Sequence, residues 1–419
     1  MSIDAQKFYL IGMRKIMKNL HLERKFIFLI ALLGASLGAS KASFAACDQT
    51  LNPGANVASA VSNAAAGSTI CLNSGNYGNI DLSRITKASD VTIQSVSGKS
   101  ASASFIVKQS SHLKFQNMTI SEMNMESSAN KNISILNNTF KGQLKVHGSG
   151  SSSSLANILI DGNTFDGISV CTNCSEGRLS LYNGGGVTVS NNHFGGAGES
   201  DGIQWGGYGG TVGPGNVFEG IIQGNYSRHV DAIQLYGEVD HHTITGNYFI
   251  NDTVYIGAYD KAANLTITNN VFGPGGGQIQ LMAIQGGIFK HNTVKNGFGI
   301  WQGAKSGDPS TKNVTYSDNI FVGVGISDTA DQKGCSSGCT YDHNLFSSSS
   351  NARGNNNIIG MPTFVGNSDP NSMAGYALTS NSLGYRAASD GKDMGYILSG
   401  GSGTTSIATI APPSNLRVQ

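Results

Sequence analysis

The chain has 419 residues, 13% of them charged, with 56 Gly, 8 Pro, 6 Cys and a formal net charge of +1. The length suffices for a large core, and the near-neutral, charge-poor composition leaves no basic footprint for nucleic acid. Gly at this level also occurs in disordered chains, but an apolar repeat sustained through most of the sequence argues against that.

Residues 1–45 read as an export signal. Arg24 and Lys25 precede an apolar run from Phe26 to Leu33, and Ser43-Phe44-Ala45 offers a cleavage site before Ala46. The run is too short for a membrane span, so a secreted or periplasmic protein with no membrane span is expected. Without this segment, 20 basic and 24 acidic residues remain, a net charge of −4. The six Cys form sequential pairs, Cys47/Cys71, Cys171/Cys174 and Cys335/Cys339. In an exported chain these read as disulfides, and no His pair at metal spacing stands near them.

Residues 46–80 read as an N-terminal cap. From Asn56 to Ala66, Val57, Val61 and Ala64/Ala65 share one helical face, Gly67 ends the helix, and Ser68–Leu72 has strand character. A Cys47–Cys71 bridge would staple the cap to the first coil. Residues 81–398 then carry a repeating phrase, as in Ile133-Ser-Ile135-Leu-Asn-Asn138-Thr-Phe140, Ile158-Leu-Ile160-Asp-Gly-Asn163-Thr-Phe165 and Val187-Thr-Val189-Ser-Asn-Asn192-His-Phe194. Looser copies place the Asn at Asn225, Asn247, Asn270, Asn292, Asn319 and Asn344. An apolar period of two inside a unit of 22–33 residues predicts stacked strands, each unit burying its apolar face only against its neighbours. The fold class expected is all-β, a parallel β-helix solenoid with an N-terminal capping helix. The repeated Asn is expected to form a structural ladder of side-chain amides. Residues 399–419 are rich in Ser, Gly, Thr and Pro and read as a flexible tail.

Two segments resemble a known family. Ala66-Gly-Ser-Thr-Ile-Cys-Leu-Asn-Ser-Gly-Asn-Tyr77 after a helix is similar to the opening of bacterial right-handed parallel β-helix proteins of the pectin-lyase-like superfamily. Gly360-Met-Pro-Thr-Phe364, Tyr376-Ala-Leu378 and Asp390-Gly-Lys-Asp393-Met-Gly395 resemble their closing segment. The resemblance covers residues 46–396 and implies the fold; it does not select among the lyases, hydrolases, epimerases, esterases and binding proteins that share it. The Asp-Pro-His motif of alginate epimerases and the Asn-Thr-Asp motif of polygalacturonases are absent.

Counting from each Asn aligns a second strand in each coil: Asp201-Gly-Ile203-Gln204, Asp231-Ala-Ile233-Gln234, Asp252-Thr-Val254-Tyr255, then Ile279-Gln280 and Ile300-Trp301. With the aliphatic residues inward, Gln204, Gln234, Tyr255, Gln280 and Trp301 would face outward in one column. Amides pair with sugar hydroxyls and aromatic rings stack on sugar faces; a purely structural ladder is the other reading. Asp201, Asp231 and Asp252 would stack at about 4.8 Å per coil. Carboxylates so close require a shared proton or a cation, and calcium held with Glu199 is the expected ion. In a straight strand these Asp would point inward, so they must lie in the entering turn or be buried against backbone N–H groups.

Arg228, His229, Tyr236, Tyr259, Asp260 and Lys261 flank the column. Together they supply the parts for β-elimination on a uronate: a cation on the substrate carboxylate and a proton acceptor at the neighbouring carbon. His229 or Lys261 is the expected base and Tyr255 the expected acid. The leading expectation is a monomeric polysaccharide lyase acting on an acidic glycan. The rivals are a glycoside hydrolase using two of the Asp and a non-catalytic glycan-binding or surface protein.

Overall fold

The computed structural model describes residues 46–126, 129–149, 155–170, 176–196, 198–224, 229–305, 307–328 and 334–398. The expected signal segment and tail, Arg228, Asn225, Cys171 and Cys174 lie outside the described residues.

The chain winds as a parallel β-helix in which every paired strand runs parallel to its neighbours in the coils before and after. Three ribbons of strands form its sides. The first contains Leu144–His147, Gly177–Tyr182, the starts of Asp201–Val212 and Asp231–Asp240, Val254–Ala258, Gln278–Met282 and Gly299–Gly303. The second carries the aliphatic half of the repeated phrase, as in Lys131–Leu136, Ala156–Asp161 and Gly185–Ser190. The third carries the residues just after its Asn, as in Thr164–Asp166, His193–Gly195 and Val217–Glu219.

The phrase accounts for the corner between the second and third ribbons. Its Ile and Val side chains alternate into the core. The residue before each Asn is left-handed: Asn137, Asn191 and Asn269 have φ of 55°, 52° and 56°, and Gly162, Gly215 and Gly246 take the same place. Asn and Gly tolerate that conformation at least cost. The next Asn is buried and bonds the coils on both sides. Asn163 Nδ2 donates to the Ile135 carbonyl at 2.8 Å and to Asn192 Oδ1 at 3.0 Å. The ladder runs Asn138, Asn163, Asn192, Asn216, Asn247, Asn270, Asn292, Asn319, Asn344. Asn216 takes the place expected of Asn225. Two residues beyond the Asn, Phe140, Phe165, Phe194, Phe218, Phe249 and Phe272 stack with centroids 4.5–4.9 Å apart. Each such pair adds about 0.5–1.5 kcal/mol beyond burial.

At the N-terminal end the helix Val57–Asn63 buries Val57 and Val61, and the Asn56 side chain caps it by accepting the Ser59 N–H at 2.9 Å. The Cys47–Cys71 and Cys335–Cys339 bridges form as expected. Replacing both cysteines of the Cys47–Cys71 bridge by Ala should lower the unfolding free energy by about 2–4 kcal/mol, measured by urea denaturation against the oxidised parent. Among the described residues no helix is long and apolar enough to cross a membrane.

Candidate active site

Register in the first ribbon decides which expected side chains meet. Ile203, Ile233, Ile256, Ile279 and Ile300 stack in turn. The alignment expected on Val254 is therefore two residues out of step, and Gly257, not Tyr255, stands between Gln234 and Gln280. Asp231 pairs with Val254 and Ile233 with Ile256 without a register shift, and a bulge follows only against the next coil. Val254, Tyr255 and Ile256 are all buried, and Val254 to Ile256 passes opposite the single step Gln278 to Ile279. Tyr255 lies in the core beside Phe249 and Phe272, its hydroxyl donating to the Gly273 carbonyl at 3.1 Å. It does not reach the groove where it was expected to act. Asp252 also leaves the column; it sits in the entering turn, buried, with Oδ1 accepting the Ile221 N–H at 2.8 Å.

Asp201 and Asp231 remain together, and a second irregularity turns them outward. Ala232 and Ile233 are both fully buried, and a Cβ added at the matching Gly202 would meet the core side chains of Ile221 and Phe218. Two successive inward residues put Asp231 on the outer side of the ribbon. Its Oδ2 lies 2.5 Å from where a Cβ on Gly257 would be, so only Gly fits there.

Asp231 is the junction of a hydrogen-bonded cluster. His229 Nδ1 lies 3.1 Å from its Oδ2, and the Tyr259 hydroxyl donates to its Oδ1 at 3.2 Å. The Asp231 N–H donates to Asp201 Oδ1 at 2.8 Å. The His229 ring packs on Tyr259 with centroids 4.6 Å apart. Lys305 Nζ lies 5.5 Å from the Tyr259 ring centre and 2.8 Å from Asp260 Oδ1. Asp231 is fully buried, whereas the His229 side chain is 48% exposed. The cluster is thus a buried carboxylate presenting an imidazole to solvent.

The charges follow from burial and partners. Burial, and after it the neighbouring Asp231 carboxylate, pushes the Asp201 pKa well above the ordinary value. Burial raises Asp231 as well, but the His229 and Tyr259 hydrogen bonds oppose it. Asp201 accepts one backbone bond and leaves buried Oδ2 without a hydrogen-bond partner. The shared proton therefore belongs on Asp201 and the negative charge on Asp231. The Asp231 hydrogen bond holds the His229 pKa above that of free imidazole. Asp201 gives a stability prediction. A carboxyl with a raised folded-state pKa destabilises the fold as pH rises from the unfolded-state pKa, about 4, to the folded one. Asp201→Asn should flatten that fall, measured as urea midpoints across pH 4–8.

The remaining expected residues are dispersed. Lys261 Nζ bonds Glu238 at 2.9 Å rather than Asp231, so it is not placed as the base. Gln204 Nε2 donates to Gln234 Oε1 at 3.2 Å, Gln280 donates to Gln278 at 2.8 Å, and Trp301 is exposed. Tyr236 lies against Tyr182 with centroids 6.2 Å apart, and burial pushes its hydroxyl up to about 12. Glu199 is half-buried, its N–H donating to Ser169 Oγ at 3.1 Å. Among the described residues no three carboxylate, imidazole or thiol groups converge to hold a metal. The calcium set expected of Asp201, Asp231, Asp252 and Glu199 therefore does not fit, because Asp252 is in the turn. Lys305 was not anticipated. It lies three coils beyond Asp231, and no local motif marks it.

No family model and no curated protein matches this sequence. Among solved structures, the alginate lyase AlyF-OU02, in complex with G6, matches with a TM-score of 0.51 and 13% identity over 77% of this chain and 85% of that one. The adhesin PfbA of Streptococcus pneumoniae matches with a TM-score of 0.48 and 13% identity over 72% and 87%. The PL6 family alginate lyase AlyGC matches with a TM-score of 0.45 and 14% identity over 83% of this chain, which spans 58% of that lyase's length. At such identities the likeness is one of fold. Fold and site together define a parallel β-helix with a solvent-facing His–Asp–Tyr cluster on one ribbon. The parallel β-helix that the opening and closing segments implied is the fold this chain shares with AlyF-OU02.

Proposed function

We propose that this protein is a secreted lyase that cleaves an acidic, uronate-containing glycan by β-elimination at His229. The observation that carries this reading is the half-exposed imidazole held on the fully buried Asp231 carboxylate. With Nδ1–H donated to Asp231, Nε2 keeps a lone pair toward solvent. Lys305 pairs with the substrate carboxylate and acidifies the C5–H bond. His229 takes the C5 proton, that electron pair forms the C4=C5 double bond, and the C4–oxygen bond breaks. The imidazolium returns the proton to the departing oxygen, so the proton count closes. Tyr259 and Asp201 are positioning residues, Tyr259 holding the Asp231 carboxylate and Asp201 its backbone N–H.

A hydrolase using Asp201 and Asp231 is less well supported, because both carboxyl groups are buried and Asp201 is tied to backbone. The test is incubation with a panel of polyuronates, alginate among them because the AlyF-OU02 neighbour is an alginate lyase. A rise in ultraviolet absorbance from unsaturated ends is expected. New reducing ends without that absorbance would assign a hydrolase, and retention without cleavage a binding protein.

A further inference from the structure

Strand pairing places Lys145, Ser180, Gln204, Gln234, Gly257, Gln280 and Trp301 in one outward column on the first ribbon. At about 4.8 Å per coil the column is about 29 Å long. Gln234, in the same coil as Asp231 and His229, is its midpoint, about 14 Å from either end. The middle of the column is small or amide-bearing, and its two ends differ in kind. Trp301 at one end is 38% exposed, and Phe298, 63% exposed, stands edge-on to it with centroids 6.4 Å apart. Lys145 at the other end lies one coil before Ser180, two residues from Tyr182, which is 39% exposed.

These exposed rings are selective in their placement. Large aromatic side chains elsewhere among the described residues are mostly packed into the core, as in the Phe stack. Among the described Phe, Tyr and Trp residues, Tyr182, Phe298 and Trp301 are the most open, and all three lie on or beside the ribbon that carries His229 and Asp231. Exposing an indole and a phenyl ring to water forfeits the free energy their burial would give. A partner with a flat apolar face and a polar rim recovers it, and a sugar ring has that form.

Resting on the reading of the site as one for an acidic glycan, we infer that the two ends of the column are distal subsites for one glycan chain. Trp301 and Phe298 stack a sugar ring at one end. Lys145 binds a sugar carboxylate at the other, beside the Tyr182 ring. A short oligosaccharide centred on His229 reaches neither end, whereas a chain long enough to span the column is held at both. The enzyme therefore favours bonds inside long polymers.

The experiment is calorimetric titration of oligouronates graded from dimer to octamer. It uses His229→Ala protein, to suppress turnover, with and without Trp301→Ala or Lys145→Gln. Each added substitution should weaken octamer binding about tenfold or more while leaving dimer and trimer affinities unchanged. The Lys145→Gln loss should shrink in 0.5 M salt, on the order of several times physiological ionic strength, because it is a charge effect, and the Trp301→Ala loss should persist. Octamer binding unaffected by either substitution, or weakened equally at every length, would overturn the subsites while leaving the central site standing. No binding of any oligouronate would overturn the subsites and the functional reading together.

Discussion

Asp231→Asn should reduce kcat on a polyuronate by about 10²–10⁴-fold, the range a positioned general base contributes, and should move the acid limb of the pH profile to lower pH. Two consequences of the substitution produce this. The amide presents an N–H to His229 Nδ1, which favours the tautomer with its proton on Nε2 and removes the lone pair facing the substrate. It also removes the negative charge that raises the His229 pKa. In the parent the base is the neutral imidazole, so the rate should rise as pH passes upward through a value above that of free imidazole. In the variant the residual rate should reach its plateau at lower pH. His229→Ala should cost a similar factor, and the double variant little more, because the two residues act as one unit. Asp231→Asn protein with an unshifted limb and more than half the parent's kcat would remove the dyad from the mechanism.

The fold was legible because its signals are redundant. The coils repeat aliphatic alternation, a left-handed residue (Asn or Gly in most, His or Asp in the last three), a buried Asn and an apolar residue two positions on. The errors fall where a coil departs from that spacing. Between Val212 and Asn216 the corner is one residue longer than in the other copies and contains Pro214, so the spacing points to Asn225 instead. In the third site coil three consecutive buried residues, Val254 to Ile256, destroy the period-two signal that would have set the register. Without that signal Asp252 aligns with Asp231 by residue type, whereas Val254 is the residue that pairs with it. The proximity of His229 to Asp231 was legible because only Val230 separates them in sequence. Lys305 was not, because nothing in one coil states which side chain of a later coil will lean over it. A separate irregularity, the two successive inward residues after each Asp, turns Asp201 and Asp231 from the core toward the outer face. The irregular coils are thus the ones that carry the candidate site.

Asn270→Ala should lower stability by about 1–3 kcal/mol, from one buried backbone N–H left unpaired. In the native chain Asn270 Oδ1 accepts the Asn247 N–H at 2.9 Å and Nδ2 at 3.0 Å, while its own Nδ2 donates to the Ile244 carbonyl and to Asn292 Oδ1, both at 3.0 Å. Truncation strands the Asn247 N–H, while the Ile244 carbonyl keeps its place in the backbone ladder with the next coil. Asn292 Oδ1 keeps the Asn270 backbone N–H at 2.9 Å, so the damage falls mainly on the coil before. Asn270→Asp tests whether amide donation or shape matters. It keeps the acceptor for Asn247 but sets a carboxylate oxygen against both the Ile244 carbonyl and Asn292 Oδ1, and should be at least as destabilising at neutral pH. Urea unfolding measures both variants, and a loss below about 0.5 kcal/mol, the range of an ordinary surface substitution, would mean the ladder does not support the fold. Because each coil is held chiefly by its neighbours, the coil of Asn247, which adjoins the Val254–Ala258 strand, should loosen first. Amide hydrogen exchange in Asn270→Ala should therefore accelerate there and around Asp231 before it does so in the coils near Cys47.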